Sequence, residues 1–268
     1  MSLLEVCCFS PESAITASEA GADRIELCDS QHAGGTTPAA DWLVRVKSKV
    51  SIPVFVMIRP RGGDFYFSDA EFERMKVDID ELKPAADGFV FGILDEKRKV
   101  DIVRTTELVR RAAPLPCTFH KAFDETPDPL QAFEDVIATG CHSILSSGGA
   151  SSGVKGGLKV LKAMVHSAQG RIIVMPGGGV RSSNLAEVQA ATGASHFHSS
   201  AMHKDSSTPD AKEIRLMKQV LQQHASGLAS RSGSLGDENF SQDATGSSLD
   251  LPAVSIGATP VEERQMDF

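Results

Sequence analysis

Eight short apolar runs recur along the first two hundred residues, and their spacing restricts the fold more than any other feature. They are Leu3–Cys8, Arg24–Cys28, Val54–Ile58, Gly88–Ile93, Cys117–Phe119, Ser143–Leu145, Ile172–Met175 and Ser195–His198. Their starts lie 21 to 34 residues apart. That is too far for hairpins and enough for a strand, a helix and the return to a parallel neighbour. Helix signals fall in the gaps. Ser10-Pro11, Thr37-Pro38 and Thr126-Pro127 read as caps with Pro at the first helical position, and Ser68 and Ser182–Asn184 as further starts. Gly21, Gly140, Gly170 and Gly193 stand where helices should stop. A last helix is expected over Pro209–Gln223. Eight strands alternating with helices close into a (β/α)8 TIM-type barrel of the α/β class. An open doubly wound sheet is the weaker alternative, because the first strand lacks a G-x-G-x-x-G turn.

Composition divides the chain at residue 224. Residues 225–268 hold eight Ser, five Gly, seven acidic and two basic residues, without periodic apolar positions. Such a segment cannot bury enough surface to offset its ordering entropy, so a disordered acidic tail is expected after a barrel over 1–224, with a short helix near Val261–Met266. Lys and Arg total 27 against 35 Asp and Glu, a formal charge of −8. This argues against binding nucleic acid by phosphate neutralisation. Five cysteines without a C-x-x-C pair exclude a disulfide scaffold. The first residues lack a basic region before an apolar stretch, and no 18-residue apolar run occurs, so neither a signal peptide nor a membrane span is expected. The expectation is a soluble protein of a reducing compartment, with no nucleic-acid or membrane partner.

In such a barrel function belongs at the C-terminal ends of the strands. Side chains two apart share a strand face, which pairs Glu5 with Cys7, Glu26 with Cys28, Met57 with Arg59, Thr118 with His120, and His196 with His198. Ionisable groups among Val, Ile and Phe should point inward, near the upper rim. Cys8, Cys117 and Cys141 read as small buried hydrophobes. Cys7 and Cys28 stand at equivalent positions of adjacent strands, where two thiolates would select Cu(I) or Zn. Glu26 and Arg59 could instead form a structural ion pair. Gly-rich turns follow strands six and seven, Ser146-Ser147-Gly148-Gly149 and Pro176-Gly177-Gly178-Gly179. Their amides could hold an anion, with Arg59, Arg61 and His198 nearby.

Several stretches together resemble the CutC copper-homeostasis family: L-L-E-V-C-C-F-S (3–10), G-A-D-R-I-E-L-C (21–28), G-G-T-T-P (34–38), I-R-P-R-G-G-D-F (58–65), T-F-H-K-A-F-D (118–124), P-G-G-G-V (176–180) and F-H-S-S-A (197–201). The resemblance implies a TIM-type barrel, a cytoplasmic or nuclear location, homo-oligomers (dimer or tetramer), and Cu(I) bound through Cys7 and Cys28. Lys121 departs from the family's usual Arg, His196 from its usual acidic residue, and the segment after Ala201 is shorter.

Two functions follow. One is a protein that buffers or delivers Cu(I) through the two cysteines, with Met57 as a weak thioether contact and no organic cofactor. The other is an isomerase, lyase or hydrolase acting on a small anionic, phosphorylated or sugar-like substrate. There Arg59, Arg61, Ser147, Gly148, His198 and Gly177–Gly179 would hold the anion, Glu5 or Glu26 would be the base, His120 the acid, and Asp124 would orient His120.

Overall fold

In the computed structural model the described residues are 2–149, 152–203 and 206–232, with 224–232 described by their backbone alone. Eight strands alternate with eight helices: β1 (Leu3–Cys8), α1 (Pro11–Glu19), β2 (Arg24–Leu27), α2 (Ala40–Lys47), β3 (Val54–Met57), α3 (Asp69–Leu82), β4 (Gly88–Phe91), α4 (Ile102–Ala112), β5 (Cys117–Phe119), α5 (Pro129–Thr139), β6 (Ser143–Ser146), α6 (Leu158–Ala168), β7 (Ile173–Pro176), α7 (Leu185–Thr192), β8 (His196–Ser199) and α8 (Ala211–Ser232). Every ladder is parallel, in the order β7-β6-β5-β4-β3-β2-β1-β8. Strands β7 and β8 lie side by side and complete the ring. This is the (β/α)8 barrel that the spacing predicts. Among the described residues no helix is long and apolar enough to cross a membrane.

Alternation along the strands separates two interiors. Leu4, Val6 and Cys8 of β1 face outward into the main core between sheet and helices, as do Ile25, Leu27, Val54, Val56, Cys117 and Phe197. Cys141 packs there too, so Cys8, Cys117 and Cys141 are core hydrophobes. Inside the barrel a smaller apolar cluster contains Cys7, Cys28, Phe55, Met57 and Val90. Gly88 makes room for it, since a Cβ there would stand 2.6 Å from the Phe55 ring.

Helix starts agree with the sequence where the capping side chain is free. Ser10 and Ser68 each form a capping box, Ser68 with Glu71. Thr37-Pro38 does not open α2, which follows Ala39 without a side-chain cap. The Thr37 hydroxyl instead accepts from the Arg59 amide at 2.9 Å and bonds Asp78, tying the end of β3 to α3. Nor does Thr126-Pro127 open α5. The same cap-Pro pattern two residues later does so, with Asp128 Oδ1 accepting from the amides of Leu130 and Gln131. Thr126 closes a preceding 3-10 turn over Lys121–Glu125. Helix α8 begins at Ala211 and reaches Ser232, so it passes both its expected end at Gln223 and the boundary drawn at 224. The remainder of the expected tail, 233–268 with its helix near 261–266, lies outside the described residues.

Candidate functional site

The parallel register stacks polar side chains in layers inside the barrel. Glu5 stands opposite Arg24 and His198, while Cys7 stands opposite Glu26. Arg24 Nε donates to Glu5 Oε2 at 2.5 Å, both groups buried, and the guanidinium lies 4.3 Å above the Phe55 ring. His198 Nδ1 meets the other Glu5 oxygen at 2.7 Å, and its Nε2 lies 3.7 Å from Glu26 Oε2. Burial alone would raise the pKa of Glu5, but Arg24 and His198 outweigh it and hold this carboxyl below its usual value. Burial would lower His198, yet Glu26 and Glu5 keep the imidazole above its ordinary range. Glu26 has the His198 ring at 3.7 Å as its partner charge, and burial raises its pKa despite that pull.

This arrangement corrects three expectations. The structural clasp is Glu5–Arg24, because Arg24 comes two residues before Glu26 and shares its inward face. Glu5 lies a layer below the rim with both oxygens engaged, which leaves Glu26 as the carboxylate that reaches the cavity. His196 lies a further layer down, where its Nδ1 pairs with the Ser195 hydroxyl at 2.9 Å, so the H-x-H residues occupy different levels.

Cys28 sits one pleat above Glu26, so the two cysteines are offset rather than level, as the equivalent positions had suggested. Their Sγ atoms are nonetheless 3.8 Å apart. The contact with Cys28 and burial push the Cys7 thiol well up, and burial pushes Cys28 up to about 11. Both are therefore thiols at neutral pH. Cys7 also forms a potential ligand cluster with Glu26 and His198, whose donor atoms lie within 4.8 Å of one another. A soft sulfur pair beside an imidazole and a carboxylate fits Cu(I) better than a hard cation.

Above these layers opens a cavity of about 130 Å³, lined by Cys7, Glu26, Met57, Arg59, Phe65 and His120, among others. Three buried polar atoms of its wall lack hydrogen-bond partners: Glu26 Oε1, Arg59 Nε and His120 Nε2. The outer nitrogens of Arg59 are spent on the carbonyls of Ala33, Gly35 and Gly63, and its guanidinium lies 4.5 Å above Phe65. Three of its five N–H groups thus staple two loops together, which leaves for an anion the unpartnered Nε–H and one hydrogen of the nitrogen bonded to Gly63. His120 Nδ1 accepts from the Ala122 amide at 3.2 Å, which leaves the proton of the neutral ring on Nε2. Burial, helped by Arg59, pushes this histidine down to about 3.

Four further expectations fail on geometry. Asp124 does not orient His120. Its carboxylate accepts from the amides of Ser147 and Gly149 and from the hydroxyls of Ser146 and Ser147. The amide of Gly148 is taken by Ser146 Oγ. The strand-six turn is thus an anion nest already filled by the protein's own carboxylate, which removes Ser147 and Gly148 as free donors. Arg61 points away from the cavity and binds Glu71, Asp64 and the Tyr66 carbonyl at the start of α3. In the strand-seven turn the Gly177 amide donates to the Ser146 carbonyl, and a Cβ on Gly177 would fall 2.4 Å from Leu145. Gly178 and Gly179 are less buried and in the left-handed region, Gly178 beside Ser147 and Lys121, but neither lines the cavity. The sequence reading missed Arg24, which alternation from Glu26 could have placed. It also missed the cavity roles of Phe65 and Lys121. Lys121 lines both the inner cavity and a wider outer basin, its Nζ beside Gly178.

The sequence and the fold are similar to those of known proteins. The CutC family model matches residues 2–203. A human copper homeostasis protein cutC homolog is 50% identical over 200 residues, covering 74% of this chain and 73% of that one. A family protein CutC of Chromobacterium violaceum is 45% identical over 200 residues, 74% of this chain and 81% of its own. The crystal structure of CutC from Streptococcus agalactiae superposes with a TM-score of 0.71 at 33% identity, covering 75% of this chain and 99% of that one. Phosphoribosylanthranilate isomerase of Pyrococcus furiosus, at 11% identity and a TM-score of 0.58 over 83% of this chain and all of its own, shares the fold alone. By its family model, its relatives and its barrel, this chain belongs to the CutC family.

Proposed function

We propose that this protein handles Cu(I) as cargo, held between Cys7 and Cys28 inside the mouth of the barrel. The observation that carries the reading is the pair of buried thiols 3.8 Å apart on adjacent strands. Two metal–sulfur bonds of ~2.3 Å, the length known for zinc thiolates, span about 4.6 Å in line. A modest rotamer change closes the difference. Met57 lies with the pair, its methyl and the Cys28 sulfur both against Gly35, and offers a thioether. Because both thiols carry protons in the free protein, Cu(I) must displace them, and affinity rises with pH. The same reading carries a reducing intracellular location and a homo-oligomeric assembly. Anaerobic Cu(I) titration against a chromogenic chelator tests it. Cys7→Ser or Cys28→Ser should weaken binding far more than Cys141→Ser, and equal affinity in all three variants would refute the site.

The three unpartnered polar atoms support a second reading, an enzyme that acts on a small anion. A metal held by sulfur needs none of them, and buried groups left unpaired are costly. In that reading Glu26 is the general base, His120 a neutral donor, and Arg59 with Lys121 supplies positive charge. A metabolite screen by thermal shift on the metal-free protein tests it. Stabilisation lost in His120→Phe supports an enzyme site, and no stabilising metabolite counts against it.

A further inference from the structure

We infer that the inner cavity is built for a short-chain 2-hydroxy acid, its carboxylate between the Nε2–H of His120 and the Nε–H of Arg59, its hydroxyl on Oε1 of Glu26. The inference rests on the second reading above, that the cavity takes a small anion, and supplies the ligand's chemistry.

The unpartnered atoms form a complementary set. Two are N–H donors and need oxygen acceptors; one is a carboxylate oxygen and accepts from a hydroxyl. A carboxylate next to a hydroxyl-bearing carbon satisfies all three at once. His120 cannot reverse its role. Its Nδ1 is committed to the Ala122 amide, and the ring is seated so tightly on Gly92 that a Cβ there would stand 2.5 Å from Nδ1. Phe65 meets the ring edge-on at 4.9 Å. Being neutral, as its low pKa requires, the imidazole presents Nε2–H and no charge, while Arg59 provides the positive one. Size agrees with this class. At about 130 Å³ the cavity lies below the ~300–1,000 Å³ of ordinary ligand pockets, which favours a short ligand. Met57, Leu145 and Phe65 supply apolar wall for a short carbon chain, and Lys121 at the mouth draws in an anion.

The test titrates metal-free full-length protein with lactate, propionate and lactamide, reading binding by calorimetry and the His120 ring nitrogens by 15N NMR. The expected result is saturable lactate binding that shifts the Nε2 resonance, with at least tenfold weaker binding of propionate, which leaves Glu26 unpaired, and of lactamide, which lacks the charge. His120→Phe and Glu26→Leu should lose lactate binding. The circular dichroism melt of each variant checks folding, and the wild-type Nε2 shift stands as evidence if either fails to fold. A His120 ring protonated on Nδ1, or lactate that binds no better than propionate or not at all, overturns the inference. Cu(I) affinity of His120→Phe is measured in parallel. That variant touches neither thiol, so retained copper binding separates failure here from failure of the copper reading, and a metabolite other than a hydroxy acid that stabilises the protein leaves the second reading standing without this inference.

Discussion

At the scale of single residues, burial decides what each polar group can do. His120 is the clearest case. Its pKa of about 3 in the folded protein stands against an ordinary 6.5, so between these values the unfolded chain binds a proton that the folded one refuses. Stability from this group is complete above pH 6.5 and is lost as the pH falls towards 3, by on the order of 4 kcal/mol over the window. Urea unfolding of wild type and His120→Gln at pH 7, 5 and 4 should show the wild type losing ground steadily against the variant. Parallel curves would mean that the ring is protonated in the fold. The same logic explains why Arg61 reads as a ligand and is not one. Sequence shows two arginines in R-P-R, but which one faces the interior depends on Thr37 and Glu71, contributed by other elements.

Among the elements, the turns after β6 and β7 show how similar sequences acquire different roles. Both are Gly-rich, yet Asp124 of the 3-10 turn after β5 fills the first, whereas the second is anchored by the Gly177 amide on the Ser146 carbonyl and exposes its tip. Replacing Asp124 with Ala strips two amides and two hydroxyls of their acceptor, at a cost of ~2–3 kcal/mol. It also vacates the nest. Inorganic phosphate should then raise the melting temperature of Asp124→Ala and not that of wild type through this turn; no phosphate-dependent gain in the variant would show that the turn collapses without its carboxylate. At α3, Ser68→Ala removes one half of a capping box and should cost about 1 kcal/mol by denaturant unfolding, whereas Thr37→Ala should leave α2 intact and act through the Arg59 amide it releases.

For the whole molecule, the buried Glu5–Arg24 pair joins the first two strands, and His198 extends it to the eighth, next to the side where the ring closes. Breaking such a pair from one side leaves an uncompensated buried charge. Arg24→Met should therefore destabilise the barrel by ~3–5 kcal/mol, and Glu5→Leu with Arg24→Met should recover most of the loss. A double variant as unstable as the single one would mean that His198, rather than Arg24, is the partner that matters. Glu26→Leu with Arg59→Met should show no such rescue, because Arg59 spends its hydrogen bonds on loop carbonyls and not on Glu26.

The barrel itself was legible in the sequence, because it follows from local regularities. Eight apolar runs a helix apart, with Ser caps and terminal glycines between them, have few other ways to bury their faces. Alternation within each run also sorted Cys7 from Cys8 and Glu26 from Leu27 before any coordinates. Partnership was not legible. Whether Glu26 meets Arg59 or Arg24 carries its clasp depends on the register between strands, and whether a glycine turn is open depends on a carboxylate reaching it from more than twenty residues away. Strand periodicity says which way a side chain points; only the closed ring says at what height it stands and what is waiting there.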